Sequence, residues 1–296
     1  MHAVDRTASP SFDASLPSIV FFARNPPEPI SAMQTQPRSD PSPFRVHLRV
    51  VGAMLRREMT TKYGAATGGY FWAVAEPAGM IAVMSVAFAA IGRQPDLGQT
   101  YLVFFATGFL SFNFYRVTAQ ELFAAIKANS SLLKYPNVTT YDALFARLTL
   151  QTLTNIMVAS VILSLAILWT GQRVQIDFGH IAPALAAATL LAFGMGTFNA
   201  VLFPLFPAYQ RVFNIINRPL FIISGVLYIP EVLPSGLQEL QGWNPLAHVV
   251  SAFRAGVYPA YDPMQDNLLY VCVCGMATLL LGLLMLRRLD ERLMDR

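Results

Sequence analysis

The residues able to do chemistry are few and dispersed. The chain has three lysines, Lys62, Lys127 and Lys134, and none directly follows a glycine. A P-loop needs that Gly-Lys step so that the ammonium reaches the phosphates cradled by the loop, so no nucleotide-hydrolysing site is expected here. The stretch GMGTFNA, residues 194–200, imitates a dinucleotide fingerprint, but it lies in an uncharged run with no strand before it. Its small residues read as helix-packing positions. Cys272 and Cys274 stand two apart in YVCVCGMATLLLGLLML. On a helix they point roughly 200° apart, which suits small apolar residues better than a chelating pair. No HExxH, CxxC or Gly-x-Ser-x-Gly pattern occurs, and the acids are scattered about one per connection. Two charges remain distinctive, Glu76 and Arg116, because both sit inside apolar runs. A charge at mid-bilayer costs about 2.5 kcal/mol or more, so each needs a reason. Arg116 can contact an anionic ligand, pair with Glu76 or Glu121, or snorkel to the surface.

Composition explains the apolar runs. Of 296 residues, 54% are hydrophobic and 13% charged, against about 25% charged in soluble domains. The expectation is an all-α membrane protein with six transmembrane helices within 71–287: Phe71–Gly92, Tyr101–Ala119, Leu148–Thr170, Ile181–Phe206, Val212–Ile229 and Leu268–Leu286. Each is near the ~20 residues that cross ~30 Å of hydrocarbon, and only a helix satisfies its own backbone there. The fifth is interrupted by Asn217-Arg218-Pro219. Before the spans, residues 1–43 are rich in Pro and Ser and read as a disordered cytoplasmic tail. Residues 44–63 then carry Phe44, Leu48, Val51, Leu55 and Met59 on one stripe, with Arg45, Arg49 and Arg56 on another face. That pattern predicts an amphipathic helix lying in the membrane interface.

Six spans place both termini on one side. The connections on that side hold Arg56, Arg57, Lys62, Lys127, Lys134, Arg147, Arg211, Arg287, Arg288 and Arg292. The opposite connections hold Arg93, Arg173 and Arg254 among many acids. The positive-inside rule puts the first set, and both termini, in the cytoplasm. The net charge of +4 is thus a topology signal first and a hint of an anionic substrate second.

Two connections carry more local structure than a linker needs, though the first can also be read as a plain connector. The one after span two, AIKANSSLLKYPNVTTYDALFAR, reads as a short helix from Glu121 to Leu133, a break at Tyr135-Pro136-Asn137, and a restart capped by Thr140. An ordered loop of this length suits a docking surface. Between spans five and six, PSGLQELQG is followed by WNPLAHVVSAFRAGVYPAYD. There Asn244 can cap, Pro245 opens a helix, and Leu246, Val249, Val250, Phe253 and Val257 form an apolar stripe. The pair reads as re-entrant half-helices, tolerated where they are buried in protein or line a cavity.

The stretches RREMTTKYG…GYFWAVAEP, KANSSLLKYPNVTTYDALFAR and WNPLAHVVSAFRAGVYPAY together resemble the ABC-2 type permeases of bacterial capsular polysaccharide export, nearest to the Gram-negative capsule exporters. The resemblance runs from about Leu55 to the C-terminus and makes 44–296 the permease domain. It implies a homodimer in the inner membrane that exports a lipid-linked polysaccharide. It also implies a separate ATP-binding cassette subunit holding ATP-Mg, with no cofactor or metal in this chain, and periplasmic and outer-membrane export partners. Nucleic acid has no part. The permease itself is then not an enzyme. The resemblance assigns ATPase coupling to the loop of Lys127, Asn129, Leu133, Lys134, Tyr135, Pro136, Asn137 and Tyr141. It makes the half-helices a cap on the outer mouth.

Glycans are polar at their edges and apolar on their ring faces, so a glycan path wants aromatic surfaces and hydrogen-bond donors. Span two supplies Phe104, Phe105, Phe109, Phe112, Phe114 and Tyr115. The path candidates are Tyr70, Trp72, Glu76, Phe112, Tyr115, Arg116, Arg218, Trp243, His248, Arg254 and Tyr258. An ABC-2 exporter of O-antigen, teichoic acid or a drug would share this architecture. A membrane glycosyltransferase would instead want clustered carboxylates, and an ATP-independent flippase more spans or a repeat.

Overall fold

A computed structural model describes residues 43–64, 68–92, 94–130, 138–172 and 174–294. The tail expected over 1–43 falls outside the described residues except for Pro43, and so do Leu133, Lys134, Tyr135, Pro136 and Asn137. Every regular element among the described residues is helical: α1 Pro43–Met59, α2 Gly69–Ala89, α3 Tyr101–Ala128, α4 Thr140–Thr170, α5 Phe178–Leu205, α6 Pro207–Ile223, α7 Ser235–Gly242, α8 Pro245–Ala255 and α9 Leu268–Met294. Five of them, α2 to α5 and α9 as far as Arg288, are long and apolar enough to cross a membrane.

The hub is α3. About 78% of its most apolar window is buried, against 22% for α2 and α9, so α3 is the helix wrapped by the others. Three of its aromatics, Phe104, Phe105 and Phe114, are fully buried core. Phe105 stacks on Tyr101 and meets Phe88 edge-on, which fastens α2 to α3. On the far side, α5 and α9 close on each other through glycines. A Cβ on Gly275 would stand 2.9 Å from the Leu191 backbone nitrogen, and one on Gly194 would strike the Gly275 carbonyl. The GMG stretch is thus a packing seam between helices.

Local chemistry sets the helix ends. The helix expected to stop and restart near Glu121 instead continues from Tyr101 without a break to Ala128. The restart is capped by Thr139 rather than Thr140. Thr139 Oγ1 accepts from the Asp142 N–H, and Asp142 Oδ2 accepts from the Thr139 N–H at 2.9 Å, a reciprocal capping box. Asp177 caps α5 by accepting from the Gly179 N–H at 2.7 Å. A hydrogen bond from His180 and that N–H hold its carboxyl below the usual carboxylate range.

Between α5 and α6 the Phe206-Pro207 step forces Phe206 out of helical geometry, at φ −130° and ψ 81°. So α6 begins at Pro207, five residues before the fifth span was expected. Nor does Pro219 interrupt it; the helix ends only at Ser224, where Gly225 turns with φ 74°. Its 17 residues reach about 25 Å, short of the ~30 Å of hydrocarbon. No residue of α6 is buried.

The α1 helix packs on α3 and α4 through Val50, Val51 and Met54. Of the expected stripe, Phe44 and Leu48 lie outside the described side chains, and Met59 is exposed. The face turned to the protein carries Val50, Val51, Met54 and the buried Glu58, and shares Val51 with that stripe.

Candidate functional site

A cleft of about 1370 Å³ opens among α2, α3, α4 and α6. It gathers six of the residues singled out from sequence: Trp72, Glu76, Phe112, Tyr115, Arg116 and Arg218. Tyr70 is exposed one residue beyond the Gly69 rim. The cleft wall is built from polar rows on otherwise apolar helices. On α3 these are Asn113, Arg116 and Gln120; on α4, Gln151 and Asn155; on α6, Asn214, Asn217 and Arg218. Residues three and four apart share a helix face, so each row points as a unit into the same space. Sequence reasoning took the charges from these rows and missed the amides. The i, i+3, i+4 spacing of Asn and Gln inside apolar runs was the signal available.

Between the rows lie aromatic surfaces: Trp72 on α2, Phe109 and Phe112 on α3, and Phe221 on α6. Phe221 meets Phe109 and Phe112 edge-on at 6.1 and 5.3 Å, so one wall of the cleft holds α6 against α3. Arg116 bonds Asn113 Oδ1 through Nε at 3.2 Å and Nη2 at 2.9 Å, and its side chain stays exposed. Glu121 ion-pairs elsewhere, with Lys62 at 2.7 Å and with Arg147 at 3.4 Å. The cleft therefore presents amides, guanidinium groups and ring faces together. Such a surface suits a ligand with polar edges and apolar faces, held by many weak contacts rather than one deep well.

A second polar assembly, which the sequence did not reveal, closes the α1 end of the bundle. Glu58 accepts from Asn129 Nδ2 at 2.9 Å and from Arg147 at 2.6 Å. Arg57 donates to Asn129 Oδ1 at 3.2 Å, and His47 Nδ1 meets Asp142 at 3.0 Å. Asn129 and Asp142 stand at the two shoulders of the loop between α3 and α4, so α1 holds both. Of the other coupling candidates, Lys127 and Tyr141 are exposed at these shoulders.

The remaining four path candidates, Trp243, His248, Arg254 and Tyr258, lie at the opposite end, in the hairpin of α7 and α8. The cap expected of Asn244 forms, its side chain accepting from the Leu246 N–H at 3.0 Å. The apolar stripe Leu246, Val249, Val250, Phe253 and Val257 is wholly buried. Three of the four path candidates here, His248, Arg254 and Tyr258, are buried. Arg254 is 0% exposed. It donates to the carbonyls of Gly225, Val226 and Tyr228 at 2.6, 2.8 and 2.9 Å, and its guanidinium lies 4.2 Å over the Phe104 ring. Those carbonyls follow the end of α6, so Arg254 fastens that end to α8 and α3. Burial draws the guanidinium down to about 10, which leaves it charged at neutral pH. His248 is also buried. It donates from Nε2 to the Gly242 carbonyl and accepts the Asn267 N–H at Nδ1, which joins α7, α8 and α9. Tyr258 is buried as well, and Trp243 is exposed.

Among the described residues no group of three or more His, Cys, Asp or Glu is placed to hold a metal ion.

Comparison with known proteins gives consistent results. Residues 49–258 match the ABC-2 type transporter family. The chain is 31% identical over 255 residues to the polysialic acid transport protein KpsM of Escherichia coli, covering 86% of this chain and 98% of that protein. It is 28% identical over 247 residues to the capsule polysaccharide export inner-membrane protein CtrC of Neisseria meningitidis serogroup A, covering 83% and 93%. It is likewise 28% identical over 249 residues to the capsule polysaccharide export inner-membrane protein BexB of Haemophilus influenzae, covering 82% and 92%.

Proposed function

The chain belongs to the ABC-2 type transporter family, and from that premise we propose that it is the transmembrane subunit of an ATP-driven exporter. It moves lipid-anchored capsular polysaccharide from the cytoplasm across the inner membrane. The observation that carries this reading is the cleft, whose amide rows and aromatic walls match the two faces of a glycan. Two copies face each other, and their clefts join into one path. The α1 end is cytoplasmic, with both termini there and α1 along the interface. The hairpin of α7 and α8 is re-entrant and caps the outer mouth, and α6 with the turn that follows it completes a sixth crossing. ATP-Mg is held and hydrolysed by a separate cassette subunit, which docks on the loop between α3 and α4. Periplasmic and outer-membrane export proteins continue the path.

Rings slide along Trp72 and Phe221, backed by the buried Phe112, while Asn113, Asn217 and the guanidinium groups exchange hydrogen bonds with passing hydroxyls. No single contact is deep, so the chain advances when the partner subunit changes the spacing of the helices.

The test is to extract the C-terminally tagged chain from native membranes in mild detergent, identify what co-purifies and assay hydrolysis. An ATP-binding subunit in equal amount, with ATP turnover and surface capsule lost on deletion of this chain, is the expected result. A chain that comes out alone, or a deletion that leaves the capsule intact, overturns the reading.

A further inference from the structure

The two polar assemblies described above are one. From Asn129 at the loop shoulder, hydrogen bonds run to Glu58 at 2.9 Å and on to Arg147 at 2.6 Å. Arg147 meets Glu121, and Glu121 meets Lys62 at 2.7 Å. Lys62 donates to Gln151 at 2.9 Å, and Gln151 donates to Asn155 at 2.9 Å. Asn155 ends the chain on the Phe114 carbonyl and Thr118 of α3. Lys62, Glu121, Gln151 and Asn155 all line the cleft. The route thus leads from a loop shoulder to the cleft wall and crosses between helices at almost every step.

Its most enclosed link is the pair Glu58–Arg147, whose side chains are 7% and 12% exposed. A carboxylate this enclosed, between a guanidinium and an amide, has little solvent access to replace either partner, so the three groups move together or the link breaks at high cost. The turn carrying Lys62, Thr60–Gly64, is π-helical, and such turns are local departures from regular helix that are frequent at functional sites. Helix α1 is therefore more than a surface strap, because it supplies Glu58 and leads directly into Lys62.

We infer that this chain of side chains is the route by which displacement of the Asn129 shoulder changes the width of the cleft, with Glu58, which lies outside the cleft, as a positioning residue that touches no substrate. Its transport arm rests on the proposed ATP-driven export. A claim of coupling requires a coupling measurement, so the test has two arms. In the first, which needs no partner, Cys272 and Cys274 are replaced by alanine and Asn113→Cys is introduced in the cleft. The rate of its modification by a hydrophilic thiol reagent is then compared with and without Glu58→Gln. Glutamine keeps the size and the bond from Asn129 but removes the charge that holds Arg147. A change of at least threefold is expected; an unchanged rate overturns the inference whatever drives transport.

The second arm uses the complex of the full chain with its ATP-hydrolysing subunit. In Glu58→Gln, export is expected to fall at least tenfold, with ATP turnover falling less than twofold and the subunits still equimolar. The exchange Glu58→Arg with Arg147→Glu restores export to within about threefold of the native chain. Export and turnover that fall in parallel, or an exchange that rescues nothing although the complex forms, overturn the inference. A failure of the native chain to yield any ATP-binding subunit sinks the exporter reading instead and leaves the first arm standing.

Discussion

Arg254 separates two roles that the same residue type can play. A guanidinium that contacts a passing anion needs an open approach, whereas this one is fully buried, donates to three carbonyls and lies against Phe104. Hydrogen bonds from charged groups contribute about 1.5–3 kcal/mol each, and carbonyls left unpaired in a buried site add their own penalty. Arg254→Met is therefore expected to destabilise the protein by at least about 3 kcal/mol. Arg254→Lys, which keeps the charge but loses the fork, should fall in between. Thermal unfolding in detergent checks this; a Met variant that melts like the native chain but no longer exports would return Arg254 to the substrate path. Gly108 bears on the same contact, because a Cβ there would stand 2.5 Å from Arg254 Nη2 and 2.9 Å from the Val226 carbonyl. Gly108→Ala should cost about 1–3 kcal/mol through overpacking, seen in the same melts. Arg116 is the opposite case. It is exposed in the cleft, where it bonds the neighbouring Asn113. Arg116→Ala is expected to abolish export while the chain still assembles at native yield, and normal export by that variant would make the residue structural.

At the scale of elements, the loop between α3 and α4 carries the sharpest expectation. Lys127 is exposed in the last turn of α3, next to the shoulder that α1 holds. A docking surface built there should respond to Lys127→Glu with at least a fivefold loss of co-purified ATP-binding subunit, at unchanged amounts of chain in the membrane. Equal co-purification would move the dock away from this shoulder. What the sequence disclosed about these elements follows a physical divide. Hydropathy located α2, α3, α4, α5 and α9, because each must present apolar surface over a membrane's thickness. It also singled out six cleft residues, since charges and large rings in apolar runs are conspicuous. It could not say that Phe104 and Phe114 face the core while Phe112 faces the cleft. In a helix apolar on every side, periodicity no longer marks a buried face. It misplaced the start of α6, where the Phe206-Pro207 step outweighs hydropathy, and it read Pro219 as a break although the helix carries the proline in its interior. The link from Glu58 to Arg147 was invisible because 89 residues separate its ends.

The whole molecule leaves one helix without adequate cover. No residue of α6 is buried, although Phe213 and Phe221 hold one of its faces against α3 and α5. Its outward stripe of Val212, Ile215, Ile216 and Ile222 is exposed. Beside that stripe run Asn214, Asn217 and Arg218, which line the cleft. Lipid could cover the isoleucines, but it would then also lie along the amides and guanidinium groups, which hydrocarbon does not solvate. A second copy related by a two-fold axis resolves both demands. In that arrangement the apolar stripes would meet near the axis, and the two polar rows would face a common water-filled path. In such an interface a residue near the axis meets its own counterpart, so a single cysteine suffices as a probe. In a background with Cys272 and Cys274 replaced by alanine, Ile216→Cys in native membranes is expected to form a disulfide-linked dimer on mild oxidation. Leu168→Cys, exposed on the outer face of α4, should remain monomeric. If Leu168→Cys cross-links and Ile216→Cys does not, α6 faces lipid, and the cleft of a single copy must hold the glycan alone. Cross-linking at Ile216 instead fixes the cleft as half of a path, and it accounts for a helix that a single chain leaves uncovered.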